Sequence, residues 1–174
     1  MRLHRRPAER HVGRVREDRL VQSRIVRQRT VRPHLYAFEP LGVRIVTEER
    51  YFRVTHDGLK RDREIILYES GDTVTENIIM AAAKIPATTT IKYASANYQV
   101  QELCFFLEMC GVSIEGIGTS TLRVHGTTEI NRTIEYTLSE DPIDAMFFIA
   151  SAILTDSQLT ITRAPIEFLE MELL

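Results

Sequence analysis

The chain has 174 residues, 44% of them hydrophobic and 26% charged, with a formal net charge of −2. That length suits one ordinary domain or part of a larger one, and the composition excludes a disordered chain, a collagen-like repeat and a disulfide-stapled mini-protein. The small net charge averages two unlike regions: residues 1–33 hold 11 Arg, no Lys and three acids for +8, whereas residues 34–174 carry −10.

Residues 1–28 show no sustained apolar period of 2 or 3.6. Two readings fit this head. It is an Arg-rich arm that meets nucleic-acid phosphates, or it is a solvated, disordered segment or sequence foreign to the fold, such as translation from a shifted frame. The lack of Lys and of interleaved aromatics weighs against the arm, so nucleic acid is not the expected partner.

Order begins near residue 33. Leu35, Phe38 and Leu41 share a helical face that Gly42 ends, and Val43–Val46 with Tyr51–Val54 form a hairpin around Glu48-Glu49. Ile65–Tyr68 is a further strand. Thr73-Val-Thr-Glu76 fits a capping box opening a helix through Ile78, Ile79 and Ala82 to a stop at Pro86. Thr88–Tyr93 is β-branched and reads as a strand, and Asn97 caps a helix through Val100, Leu103 and Leu107 to Gly111. Val112–Glu115 and Thr121–Val124 make another hairpin, around Gly116 and Gly118. A strand is expected within Ile130–Leu138, a helix from Ile143 to Leu154 behind Asp141-Pro142, a strand at Leu159–Thr162, and the start of a helix over Pro165–Leu174.

This order repeats with a period of about 70 residues. Leu41-Gly42-Val43-x-Ile45 returns as Cys110-Gly111-Val112-x-Ile114, and Ala81–Ile85 with Ile91–Ala94 returns as Ala150–Leu154 with Ile161–Ala164. Each unit reads β-α-β-α-β-β in rotation, and the chain is expected to begin and end inside a unit. Cys104 and Cys110 point to different sides of one helix and cannot pair, so free thiols and a cytoplasmic setting are expected. The longest apolar run, Ala145–Leu154, is too short to span a bilayer. The five His lack metal-ligand spacing, and no metal or cofactor is expected. Gly116-Ile-Gly118 reads as a hairpin turn, not a dinucleotide fingerprint.

The segments RTVRPHLYAFEPLGV, TVTENIIMAAA, ATTTIKYAS and LCFFLEMCGVSIEGIGTSTLRVHG, in this order, resemble the UDP-N-acetylglucosamine 1-carboxyvinyltransferases of the enolpyruvyl transferase family. The resemblance covers about residues 29–174. It implies an α/β (α+β) fold of β-α-β-α-β-β units, of the inside-out α/β barrel type, here incomplete. Residues 29–138 would belong to the catalytic domain and 139–174 would start the second. The family moves the enolpyruvyl group of phosphoenolpyruvate to the 3′-hydroxyl of UDP-N-acetylglucosamine, the first committed step towards peptidoglycan. Both compounds are thus the implied substrates, and the remainder of a two-domain enzyme is the implied partner.

Carried over residue by residue, the family's segment that holds the uridine diphosphate falls on Arg29, Thr30, Val31, Arg32 and Pro33, followed by His34; Arg29, Val31 and His34 match. A guanidinium suits a diphosphate because its fork donates two parallel bonds to anionic oxygens. The family's nucleotide-touching turn falls on Gly71, Asp72 and Thr73, where free helix amides could meet an anion or polar ligand, or where Thr73 and Glu76 simply cap the helix. The family's mobile loop with its acid Cys falls at Arg24, without glycines, and other catalytic groups have no counterpart. The catalytic residues are therefore unknown, and this chain alone is expected to be inactive. The alternatives are another enolpyruvyl transferase, such as the shikimate-pathway synthase, and a non-catalytic module with a nucleic-acid-binding arm.

Overall fold

The computed structural model describes residues 16–21, 31–48, 51–169 and 173. Helix α1 (Arg32–Phe38) continues into a 3-10 turn, Glu39–Leu41, and stops at Gly42, which adopts φ +84 and donates its N–H to the Glu39 carbonyl at 2.9 Å. That left-handed conformation is cheap only for glycine. Strands β2 (Val43–Thr47) and β3 (Tyr51–His56) form the expected hairpin, with Ile45 opposite Val54. On the far edge of β3 lies a strand that the sequence does not announce, β1 (Arg16–Val21), antiparallel and giving the order β1-β3-β2. Strand pairing is a backbone contact and needs no apolar period. The rest of the Arg-rich head, including Arg24, lies outside the described residues.

The second sheet holds a whole repeat unit: β4 (Arg63–Ile66), α2 (Asp72–Ala83), β5 (Thr88–Lys92), α3 (Tyr98–Met109), β6 (Ser113–Glu115) and β7 (Thr121–His125). Strands β4 and β5 are parallel, joined through α2, and the order is β4-β5-β7-β6 with the other pairs antiparallel. β4 starts two residues earlier than the sequence suggests. Its register places Arg63 opposite Thr89 and Ile65 opposite Ile91, while the Leu67 amide closes the ladder on the Lys92 carbonyl at 3.0 Å, leaving Tyr68 in the bend beyond.

α2 and α3 pack on this sheet. Ile65, Ile91, Leu122 and Val124 from the strands meet Ile78, Ile79, Cys104 and Leu107 from the helices in one buried cluster, extended by Ala37 and Leu41. The C-terminus of α3 is a Schellman turn: Val112 N–H reaches the Leu107 carbonyl, Gly111 N–H reaches Glu108, and Gly111 has φ +95. The α1–Gly42–hairpin run therefore repeats α3–Gly111–hairpin in space as well as in sequence.

Three expectations are corrected. The capping box does not form. Gly71, in extended conformation, is the N-cap of α2, Thr73 already lies in the helix, and the Thr75 hydroxyl donates back to the Gly71 carbonyl at 2.7 Å. Neither Ile130–Leu138 nor Leu159–Thr162 is a strand. The first is tied to α3 by side chains, with the Tyr136 hydroxyl 3.0 Å from Glu102 Oε1 and its ring edge-on to Phe106 at 5.5 Å. Of the helix expected to start over Pro165–Leu174, residues 165–169 make a 3-10 turn, Ile166–Phe168, and the remainder except Leu173 lies outside the described residues. Helix α4 (Pro142–Leu154) does form, capped by the Asp141 carboxylate on the Ile143 amide at 2.8 Å. It buries only Pro142 and Ala145, while Phe147 is 66% and Leu154 85% exposed. Among the described residues no helix is long and apolar enough to cross a membrane.

Candidate functional site

α1 and α2 pack together although they begin some forty residues apart in the chain. Hydrophobic packing begins this: Pro33 and Ala37 of α1 are buried, and Ala37 joins the cluster that holds Val74 and Ile78 of α2. One polar contact then fixes the pairing, Asn77 Nδ2 to His34 Nδ1 at 3.0 Å, between half-buried side chains. Asn77 lies four residues after Thr73, so both project from one face of α2, about 6 Å apart along its axis. A second contact comes from Tyr36, whose ring meets that of Tyr68 edge-on at 6.1 Å, just ahead of Gly71. Arg32 is one turn before Tyr36 and shares its exposed face.

The predicted residues divide accordingly. Val31 is the half-buried residue before α1, and its carbonyl accepts from the Leu35 amide at 3.1 Å. Arg32 is exposed and Pro33 buried; Arg29 and Thr30 lie outside the described residues. Gly71 and Asp72 are half-buried and Thr73 is exposed. The ladder of α2 begins with Thr75 N–H on the Gly71 carbonyl, so the amides of residues 72–74 have no intrahelical acceptor.

Asp72 changes what this helix end can hold. Its carboxylate accepts from Ser95 Oγ at 2.5 Å and from Asn97 Nδ2 at 2.8 Å, and the Ser95 amide donates to Thr75 Oγ1 at 3.0 Å. The network binds α2 to the loop between β5 and α3 and turns the Asp72 charge towards that loop. Glu76 follows one turn later, and burial, then the Asp72 charge, hold its carboxyl above the usual range. Two acids at one helix start offset the positive end of the macrodipole. A phosphate is therefore better met on the Arg32 side, while the Gly71–Thr73 turn suits neutral polar groups such as hydroxyls and amides.

The sequence reading missed Asn77, Tyr36, Tyr68, Ser95 and Asn97 as parts of this site. Only Asn77 carried a local signal, its i+4 spacing from Thr73; the others depend on chain crossings. A neighbouring cavity of about 570 Å³ between the starts of α3 and α4 shares Asn97 with the Asp72 network, is also lined by Tyr98, Gln101, Ile143, Met146 and Phe168, and contains none of the predicted residues. Cys104 is fully buried and its thiol is pushed up to about 12, chiefly by desolvation, so it is a core residue without nucleophilic character.

Residues 23–174 match the family profile described as EPSP synthase (3-phosphoshikimate 1-carboxyvinyltransferase). A UDP-N-acetylglucosamine 1-carboxyvinyltransferase from Treponema denticola is 35% identical over 138 residues, 79% of this chain and 32% of the relative. The protein of that name from Sulfurimonas denitrificans is 37% identical over 139 residues, 79% of this chain and 33% of the relative. The chain thus spans about a third of the length of the curated relatives it matches. The enolpyruvyl transferase NikO from Streptomyces tendae superposes with a TM-score of 0.64 over 78% of this chain and 33% of that one, at 20% identity. That likeness is one of fold.

Proposed function

This chain belongs to the EPSP synthase family of carboxyvinyl transferases, and from that premise we propose that it carries a nucleotide half-site for enolpyruvyl transfer from phosphoenolpyruvate to UDP-N-acetylglucosamine. The observation that carries the reading is the contact between the first turn of α1 and the second turn of α2 through His34 and Asn77. It joins α1, which opens just after Val31 with Arg32 and Pro33, to α2, which opens just after Gly71 with Asp72 and Thr73, two segments far apart in the chain. The relatives named for this sugar nucleotide support the choice of ligand, at 35–37% identity.

In the proposed arrangement Arg32, with Arg29 beside it in sequence, neutralises the diphosphate. The exposed Thr73 hydroxyl and the free amides of the turn take neutral groups of the nucleotide or sugar. Binding, not turnover, is the activity proposed for these 174 residues, because Arg24 stands where the family's acid Cys would be. In the whole reaction, the enzyme would act in peptidoglycan synthesis.

Titration calorimetry with UDP-N-acetylglucosamine, and separately with shikimate 3-phosphate, tests the proposal. Phosphate release from phosphoenolpyruvate is followed in parallel. Saturable binding of the sugar nucleotide alone, without phosphate release, is expected. Preference for shikimate 3-phosphate would move the chain to the other branch of the family, and binding of neither would remove the half-site.

A further inference from the structure

We propose that the His34–Asn77 hydrogen bond positions the half-site, holding Arg32 at the start of α1 in register with the Gly71–Thr73 turn of α2. The inference rests on the sugar-nucleotide reading above and assigns a role to two residues that need not touch the ligand.

α1 is a weak element. It has seven residues and no side-chain N-cap, and a helix so short has no stability of its own in water. Its place is set by what holds it. Pro33 and Ala37, followed by Leu41 in the 3-10 turn, anchor it through apolar contact, which is non-directional and leaves rotation about the contact cheap. Direction comes from contacts with a preferred geometry, the edge-on Tyr36–Tyr68 pair on one side of α1 and a polar contact on the other. Among the described residues, His34 to Asn77 is the one side-chain hydrogen bond between α1 and α2. Both side chains are half-buried, which shields the bond from competing water.

The geometry links this bond to the ligand-facing residues. Thr73 and Asn77 share one face of α2, so His34 is held one turn from the Thr73 hydroxyl. Arg32 is two residues from His34 on a helix too short to bend independently. Breaking the bond frees α1 to turn about its apolar contact and carries the Arg32 guanidinium away. A displacement of about 1 Å is enough to spoil a paired guanidinium–phosphate contact.

The test is a double-mutant cycle on the full chain, read as UDP-N-acetylglucosamine affinity by calorimetry with unfolding midpoints on the same samples. His34→Ala and Asn77→Ala should each weaken binding about fivefold, the equivalent of one ordinary hydrogen bond. The double variant should be no weaker than either single one, since one contact is lost in all three. His34→Asn places an amide oxygen near the Nδ1 position and should restore affinity to within about twofold of the parent. Asn77→Ser, which keeps a hydroxyl, takes the place of Asn77→Ala if the latter does not fold. Unchanged affinity with lowered midpoints would make the bond merely structural and overturn the proposal, as would losses that multiply in the double variant. A parent chain that binds no sugar nucleotide overturns the half-site itself; a parent that binds, with indifferent variants, overturns only the positioning role.

Discussion

Replacing Asp72 separates what holds this fold from what attracts a ligand. In Asp72→Ala the Ser95 hydroxyl and the Asn97 amide lose their acceptor. Ser95 is buried, so its charge-assisted bond is worth about 1.5–2 kcal/mol, whereas the bond from exposed Asn97 adds little. Loss of a negative charge at the start of α2 costs about 0.5 kcal/mol more, offset in part by relief of repulsion with Glu76. The net loss is about 2 kcal/mol, or a fall of roughly 4–8 °C in unfolding midpoint for a chain of this size. Asp72→Asn keeps an oxygen for Ser95 and should lose about half as much. Removing the charge should also tighten UDP-N-acetylglucosamine binding about two- to threefold, the order expected for one unit charge near, but not touching, a diphosphate at a water-exposed surface. Urea denaturation with an unchanged m-value, and calorimetry on the same variants, read both effects. An Asp72→Ala chain as stable as the parent would refute the fastening role. Affinity that falls along with stability in Asp72→Asn would refute the electrostatic argument.

Glu76→Gln should stabilise the chain near neutral pH. The carboxyl is held above its ordinary value of 4.5 by burial and then by Asp72, so the folded state prefers it protonated; that stability is full below the unfolded pKa and is lost as pH rises through the folded one. The advantage of Gln should therefore vanish in melts recorded near pH 4, and an equal advantage at both pH values would contradict the assignment. Gly126→Ala should cost about 3 kcal/mol or more, because its Cβ would fall 2.1 Å from the carbonyl oxygens of Ala82 and Ile85, backbone atoms at the end of α2. Gly118→Ala, with φ +80 and only the Gln101 side chain to displace, should cost about 1–2 kcal/mol; urea titrations rank the two. The buried thiols of Cys104 and Cys110 should resist a disulfide reagent in the folded chain and both react in denaturant. Rapid labelling of Cys104 in the native state would contradict its place in the core.

Local punctuation was legible wherever it settled a conformation by itself. Gly42, Gly111 and Asn97 all stand where their chemistry puts them, and the hairpins follow from alternation between turn residues. Thr73–Glu76 misled because Gly71 supplies an extended N-cap two residues earlier, and the carboxylate of Asp72 is engaged by Ser95 and Asn97 on a distant loop. Strand β1 was invisible because its pairing with β3 is made by backbone. The two segments of the candidate site were readable through resemblance, but the contact that joins them was not. His34 and Asn77 are 43 residues apart, and neither spacing nor composition signals a hydrogen bond across that distance.

α4 shows the same division within one repeat. With a shift of 69 residues, Val74, Ile78, Ile79 and Ile85, buried in and just after α2, correspond to Ile143, Phe147, Phe148 and Leu154, all exposed in α4. The apolar pattern is preserved, and so is the helix, because Asp141 and Pro142 start it locally. At the end of the following segment the backbone repeats too: Tyr93 has φ +61 and Arg163, 70 residues on, φ +60. What does not repeat is the ladder. β4 and β5 bury the face of α2 because they pair with each other and β5 pairs in turn with β7, whereas residues 130–138 and 159–162 have no strand partner among the described residues. A helix and a turn are specified by residues within one turn of each other, but a strand exists only through a partner. The second unit therefore reproduces the helix and the left-handed turn, which are local, and leaves uncovered the face whose burial depends on pairing.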